Sequence, residues 1–293
     1  MEVRVLRYFL MIVQEQNITK AARLLHITQP TLSRQMMQLE EQLGVTLFVR
    51  KKNNIVLTDE GMLLKRRAEE IVDLVNKTEK ELLIEEKQLA GEIFIGAAET
   101  KSMHNLASIM KEVSNAYPLI TYNTYSGNAD DIKDRIDKGL IDVGLLTEPV
   151  DINKYEFIRL PEKERWGILL PKTSPLAKKD FITPEDLMDK PLLISQRFLV
   201  QNEIINWLQM DSNHLHIVGT YNLIYNAAVM VEHNIGFAVC LESLINSNEE
   251  TNTCFKLFYP KLETGSVLVW KKNQIFSPVT SKFIEMIKNA LKA

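Results

Sequence analysis

Cysteine is nearly missing from this chain: there are two in 293 residues, Cys240 and Cys254. Such a pair makes no disulfide framework and no metal-ligand spacing, so buried or half-buried thiols are expected. Histidine is scarce as well, with five in all. His104, His214, His216 and His233 are scattered. His214 and His216 share a strand face but have no Cys or carboxylate neighbour in range, so neither a metal nor a cofactor is expected. No apolar run approaches the roughly 18–20 residues that span a bilayer, which leaves no membrane partner. The first residues, MEVRVLRYFLMIVQEQN, carry arginines and lack a small-residue cleavage site, so they do not read as a signal peptide; a cytoplasmic protein is the expectation. Also absent are a nucleophile elbow, a P-loop and a GxGxxG after a strand, and IGAAETK lacks the glycines of a dinucleotide site. No catalytic residues are expected.

What is present is an ordinary globular composition, 45% hydrophobic and 25% charged, long enough for two domains. Net charge is only −3, yet its distribution is uneven. Residues 1–58 hold eight Lys/Arg against four Asp/Glu, and the remainder holds 27 against 34. A small basic head on an acidic body suits a chain in which one module meets an anion.

In the head, Leu6, Phe9, Leu10 and Val13 recur at helical spacing. Thr19 is placed to cap a short helix, KAARLL, whose Ala21 and Ala22 leave room for a crossing helix. Thr28 is a good N-cap for a third helix, with Pro30 in its first turn and Gly44 as its stop. On that helix Leu32, Met36, Leu39 and Leu43 form a buried stripe. VTLFVRKKNNIVLT then reads as a hairpin with a basic tip. A second helix start at Thr58 opens a long helix to about residue 88. Along it Leu64, Ala68, Ile71, Val75, Thr78, Leu82, Glu85 and Leu89 alternate by four and three, the pattern of a helix that pairs with another helix. The other reading is that this stripe packs on its own chain.

The third helix gathers Gln29, Thr31, Ser33, Arg34 and Gln35 away from its apolar stripe, near its electropositive end. Amide and guanidinium groups read purine edges, while hydroxyls and helix N-terminal amides hold phosphates. Three short helices followed by a basic hairpin fit a winged helix-turn-helix in a major groove. The bland alternative is a solvated face on a helical bundle.

The stretch NITKAARLLHITQPTLSRQMMQLEEQLGVTLFVRKKNNIVLTDEG resembles the N-terminal domain of LysR-type transcriptional regulators. It carries the AA pair, the QPxLSRQ core, the LE..LG..LF.R tail and the LT..G that opens the next helix. The resemblance implies an N-terminal all-α winged helix-turn-helix with a long linker helix, and a C-terminal α/β, periplasmic-binding-protein-like effector domain of two lobes. The implied domains are residues 1–58, a linker and dimerisation helix over 59–90, and an effector domain over 91–293. Lobe I would take about 91–161 plus 267–293, and lobe II about 162–266. Thr28, Gln29, Thr31, Ser33, Arg34 and Gln35 would contact DNA, with Gln29 and Arg34 reading bases. Arg50, Lys51 and Lys52 would form the wing. Dimer contacts would fall on Leu64, Ala68, Ile71, Val75, Leu82 and Leu89. The implied partners are double-stranded DNA, a small-molecule effector and further copies of the chain, as a homodimer or homotetramer, with RNA polymerase a further candidate.

The body fits that frame. Strand and helix alternate through EIFIGAA, LITYNTY and DVGLL, then through WGILLP, PLLIS, HIVGTY and GFAVC, with VLVW and a helix over 278–291 left over. Such alternation means parallel βαβ units. Ligands of open α/β sheets sit at the carboxyl ends of strands. Those ends carry Thr100, Lys101, Ser102, Gly127, Asn128 and Thr147, then Ser195, Gln196, Arg197, Tyr221 and Asn222. Hydroxyls and amides beside Lys101 and Arg197 suggest a small polar effector, carboxylate-bearing among the options. Two departures from the family pattern stand out. Ala129 lies where relatives often carry a hydroxyl, and Asn234 lies in a glycine slot, where Asn tolerates positive φ. Two rival readings stay open: a body that only assembles oligomers, and an α/β enzyme with an accessory DNA-binding head.

Overall fold

The computed structural model describes residues 1–50, 55–82, 89–209, 215–244 and 251–291. They form two compact units, Met1–Leu83 and Ile84–Ala293. The long linker helix therefore belongs with the head, where a separate segment was expected.

The head opens with helix α1 (Val3–Glu15), α2 (Ile18–Leu24) and α3 (Gln29–Leu43). The N-cap of α2 is Asn17, whose side chain accepts from the Lys20 amide at 3.0 Å, not the expected Thr19. Asn17 comes first in the chain and its short amide reaches the same donors, so the helix starts earlier. Ala21 and Ala22 are buried, as a close helix crossing requires. Thr28 caps α3 by accepting from the Thr31 amide at 3.3 Å. Gly44 ends the helix in the left-handed region at φ +68°, where a side chain would be strained. Leu32, Met36 and Leu39 are buried, but Leu43 is 40% exposed: the apolar stripe ends one turn before the helix does.

Strands β1 (Phe48–Arg50) and β2 (Ile55–Leu57) pair antiparallel, with Phe48 opposite Leu57. Glu40 fastens this wing to α3 by accepting from the Leu47 amide at 2.6 Å and the Phe48 amide at 3.3 Å. Helix α4 spans Asp59–Leu82. Thr58 caps it, accepting from the Gly61 amide at 2.9 Å and donating to the Thr46 carbonyl at 2.7 Å. Ala68 is fully buried in the head's own core, and Leu64, Ile71 and Val72 pack on that core beside it. Of the six expected dimer contacts, Ala68 is buried by its own chain, and Leu64 and Ile71 here and Leu89 against the body's first core are partly buried. Ala68, Leu64 and Ile71 complete this core, so that part of the 4-3 stripe faces inward.

The body begins with β3 (Gly91–Ala97), α5 (Met103–Ala116), β4 (Ile120–Ser126), α6 (Ala129–Asp137) and β5 (Val143–Thr147). Strand β6 (Tyr155–Pro171) is long, and the expected WGILLP strand is only its last third. Then come β7 (Phe181–Ile182), β8 (Leu192–Ser195), α7 (Phe198–Leu208), β9 (Ile217–Tyr221), α8 (Ile224–Glu232), β10 (Phe237–Leu241), β11 (Thr253–Phe258), β12 (Glu263–Lys271) and α9 (Pro278–Leu291). The main strand order is β4-β3-β5-β12-β6-β10-β8-β9.

Two halves of this sheet make the two lobes. In the first, β3 pairs parallel with β4 and β5, and β12 closes antiparallel on β5. In the second, β8 pairs parallel with β9 and β10. Strand β6 belongs to both: it pairs with β12 as far as Arg165, and with β10 from Trp166 onward. The crossing at 165–166 and 262–263 lies a few residues from the expected 161–162 and 266–267. Charges in RLPEKER hide the first half of β6 from a hydrophobic pattern. Small residues set the packing on the first lobe: a Cβ on Gly96 would meet Ile132 of α6 at 2.7 Å.

Candidate functional site

Two surfaces hold the expected site residues. On α3, Thr28, Gln29, Thr31 and Arg34 are exposed and Ser33 and Gln35 half-buried, while Leu32 and Met36 point into the core. Helical periodicity separates the two sets, because positions 29 and 33 share a face that 32 and 36 do not. The polar face is held only by short local bonds. Gln29 Nε2 donates to Ser33 Oγ at 2.8 Å, Thr28 and Thr31 share a hydroxyl contact at 2.8 Å, and Gln35 Nε2 donates to Gln38 Oε1 at 3.3 Å. Such exposed bonds exchange readily for bonds to another partner. The guanidinium of Arg34 has no ion pair or hydrogen bond among the described residues. Arg50 ends β1, and Lys51 and Lys52 lie outside the described residues.

The second surface is the cleft between the lobes, which holds a cavity of about 80 Å³. It gathers Gly127, Asn128, Thr147, Ser195, Arg197, Tyr221 and Asn222 of the expected residues. Thr100 and Lys101 line a wider opening that shares Ala98, Glu99, Ile224 and Leu244 with it. Ser102 is buried at the start of α5 and lines neither cavity. Gln196 is exposed and lines neither cavity; its amide bonds the Tyr221 carbonyl at 2.9 Å.

The most consequential finding concerns Arg197, which is 6% exposed. It leaves the second lobe at the head of α7 and donates to first-lobe carbonyls, to Thr147 at 3.1 Å and Pro149 at 2.7 Å. Its Nε faces Asp130 at 3.5 Å. Burial lowers the Arg197 pKa and Asp130 opposes that shift. Arg197 therefore bridges the two lobes, with Asp130 facing its charge.

Other groups are similarly occupied. Asn128 caps α6, its Oδ1 accepting from the Asp130 amide at 2.9 Å and the Asp131 amide at 3.1 Å. Its Nδ2 donates to Asp131 Oδ2 at 2.7 Å. Ala129 is buried beneath this turn. Tyr221 turns its hydroxyl to the Val239 carbonyl, and burial pushes its pKa up.

Several lining residues carried no sequence signal of their own. Trp166 read only as the start of a strand, but β6 changes sheets there and brings its ring to the cleft. Glu164, two residues earlier, accepts from the Lys101 amide at 3.1 Å and from the Ser243 hydroxyl. Burial raises its carboxyl, while the Ser243 bond, the Lys101 amide and the Lys101 charge pull it back. Cys240 is buried in the cleft wall, and burial holds its thiol protonated. Asn234 has φ +58°, as expected for its glycine slot.

A winged helix-turn-helix with an open polar face, in one chain with a two-lobed α/β body that encloses a cleft, defines a class: transcriptional regulators with an effector domain. Within that class this chain belongs to the LysR family. Residues 3–62 match the bacterial regulatory helix-turn-helix protein, lysR family, and residues 86–292 match the LysR substrate binding domain. It is similar to the uncharacterized HTH-type transcriptional regulator YvbU of Bacillus subtilis (strain 168), 27% identical over 243 residues, covering 83% of this chain and 82% of that protein. The HTH-type transcriptional regulator AlsR of the same organism is 31% identical over 196 residues, covering 66% of this chain and 64% of its own. Among solved structures, the LysR family regulator CbnR matches with TM-score 0.75 at 18% identity, covering 100% of both chains. Full-length CbnR complexed with its target DNA matches with TM-score 0.72 at 18% identity, covering 99% and 100%. At such identity the likeness is one of fold. The chain is a LysR-type DNA-binding transcriptional regulator with an effector-binding domain. Among the described residues, no helix is long and apolar enough to cross a membrane.

Proposed function

We propose that the head reads a two-fold DNA site, with Gln29 and Arg34 contacting bases and Thr28, Thr31, Ser33 and Gln35 contacting phosphates. The observation that carries this reading is the exposed Arg34 guanidinium beside hydroxyls and amides bonded only to each other. The fold shared with a regulator complexed with its target DNA supports it. Arg50, Lys51 and Lys52 serve as the wing. Two copies pair through α4, and its contact face is the one left exposed, Met62, Leu63 and Leu74, rather than the covered Leu64, Ala68 and Ile71. At 100° per residue Leu63 and Leu74 fall on one side of the helix. The dimer assembles further into a tetramer and works in the cytoplasm.

In the cleft a small polar molecule binds between the lobes. Its effect is a population shift: it favours the lobe arrangement to which it binds better, and that changes how the paired heads meet DNA. The support is that strand β6 runs from one lobe into the other and that side-chain clasps bridge them. A salt titration of binding to genomic fragments tests the DNA half: several phosphate contacts require affinity to fall steeply as salt rises, and a flat response sinks it. For the sensor half, a thermal-shift screen of metabolites should yield a molecule whose stabilisation is lost in Ser195→Ala. A complete metabolite panel without one would remove the sensor reading.

A further inference from the structure

One methionine of α3 faces away from the protein. Met36 sits in the head's core at 3% exposure, while Met37 next to it is 62% exposed and lies outside that core. It is the most exposed large apolar side chain among the described residues of the head. Helix phase sets the difference: one residue turns the helix by about 100°, from the buried stripe of Leu32, Met36 and Leu39 to the polar face. Single exposed apolar side chains are common on protein surfaces and mean little by themselves. What singles out Met37 is its position.

In projection down α3, Met37 falls between the two residues assigned to bases, about 80° from Gln29 and about 60° from Arg34. Along the axis it lies about 4.5 Å beyond Arg34, which is one to two base steps of about 3.4 Å. One turn further on the same face is the exposed Glu41, an acid that a polyanion disfavours. The strip able to lie against DNA therefore ends at Met37. Base edges in the major groove present donors and acceptors, and the apolar group among them is the 5-methyl of thymine. An unbranched thioether side chain is long and adaptable enough to cover that methyl group, and it offers a phosphate no hydrogen bond.

We propose that Met37 is a specificity residue that reads thymine: its side chain covers the 5-methyl group of one thymine in each half-site, one or two base pairs from the base contacted by Arg34. Gln29 and Arg34 choose bases by hydrogen bonds, and Met37 adds an apolar contact that only a methyl group satisfies. This rests on the reading of α3 given above and extends it by one residue and one base.

The test uses full-length protein and a duplex that it selects from a random-sequence pool. Each thymine of that duplex is replaced in turn by deoxyuridine, which removes the methyl group and leaves the pairing and the O4 acceptor in place. Fluorescence anisotropy at fixed salt reads the affinity. The expected result is one thymine per half-site whose replacement weakens binding about fourfold, the effect of one methyl group returned to water. Met37→Ala should weaken binding to the thymine duplex by about the same factor and then bind the thymine and deoxyuridine duplexes alike. Met37→Leu should keep most of the discrimination. Alanine is a good helix former and the position is exposed, so unchanged melting separates a lost contact from a lost fold. If no thymine is sensitive to replacement, or if Met37→Ala discriminates as the parent does, the inference is overturned. Arg34→Ala on the same duplexes keeps the two readings apart. Relaxed base preference in Arg34→Ala, with Met37→Ala unchanged, means that α3 reads DNA without Met37. If neither variant alters preference, the reading of α3 fails and that of Met37 with it. Selection of no preferred duplex overturns both.

Discussion

The polar face of α3 and the cleft of the body are both rich in hydrogen-bonding side chains, yet they use them in opposite ways. On α3 the groups are exposed or half-buried and loosely tied to each other, and Arg34 has no ion pair or hydrogen bond among the described residues. In the cleft Arg197 is buried, faces Asp130 and is tied to Thr147 and Pro149 of the other lobe. The difference teaches what each surface meets. A polyanion in water is held by many exposed donors, each contributing modestly. A small molecule in a closing cleft meets a low dielectric, where any uncommitted charge is costly, so the protein matches its charges internally.

The comparison breaks most readily at the layer beneath α3. Leu32→Ala removes a fully buried side chain and should destabilise the head by about 2–5 kcal/mol, abolishing DNA binding near its melting point. Leu43→Ala, on the same nominal stripe but exposed, should stay within about 0.5 kcal/mol. Urea melts of the two variants check this, and equal losses would contradict the placement of Leu43. Next comes the clasp. Arg197→Ala strands two carbonyls and Asp130, and should cost about 2–3 kcal/mol. That is below the value for a fully buried pair, because the Asp130 side chain is 56% exposed. Thermal unfolding of the body reads the loss, and small-angle scattering should show the lobes opening.

Arg34→Ala should leave stability untouched and weaken binding to the preferred site by about 1–3 kcal/mol, with less loss on scrambled DNA. Equal loss on both would assign Arg34 to phosphate instead. The smallest effect is a pH dependence. Burial raises the Glu203 carboxyl, Arg197 pulls it down and Glu148 pushes it up. The folded state thus holds this proton more tightly than the unfolded chain. Stability from this group is complete below the ordinary carboxylate range and is lost as pH rises through the raised value. Glu203→Gln should therefore gain in melting temperature relative to the parent between pH 4.5 and 7. A constant difference across that range would show that Glu203 does not titrate there.

Much of this was legible along the chain. Thr28, Pro30 and Gly44 punctuate α3 in the sequence as in the fold, because caps act through local backbone geometry. The strand-helix alternation singled out seven residues that line one cavity, because carboxyl strand ends converge in such sheets. What failed was whatever depended on a distant neighbour. The 4-3 stripe of α4 was genuine, but periodicity states that a face is apolar, not what covers it. Arg197 looked like an anion donor because its acceptors, Thr147 and Pro149, lie 50 and 48 residues away.

The amino-acid sequence by itself determined the family, the helices with their caps, and the polar face of α3, all of which follow from short-range spacing. Only the tertiary structure decided that α4 packs on the head's core, that β6 carries Trp166 to the cleft and Glu164 to Lys101 and Ser243, and that Arg197 bridges the lobes. The reason is physical: which donor meets which acceptor depends on chain segments brought together by burial, and their separation along the sequence leaves no local trace.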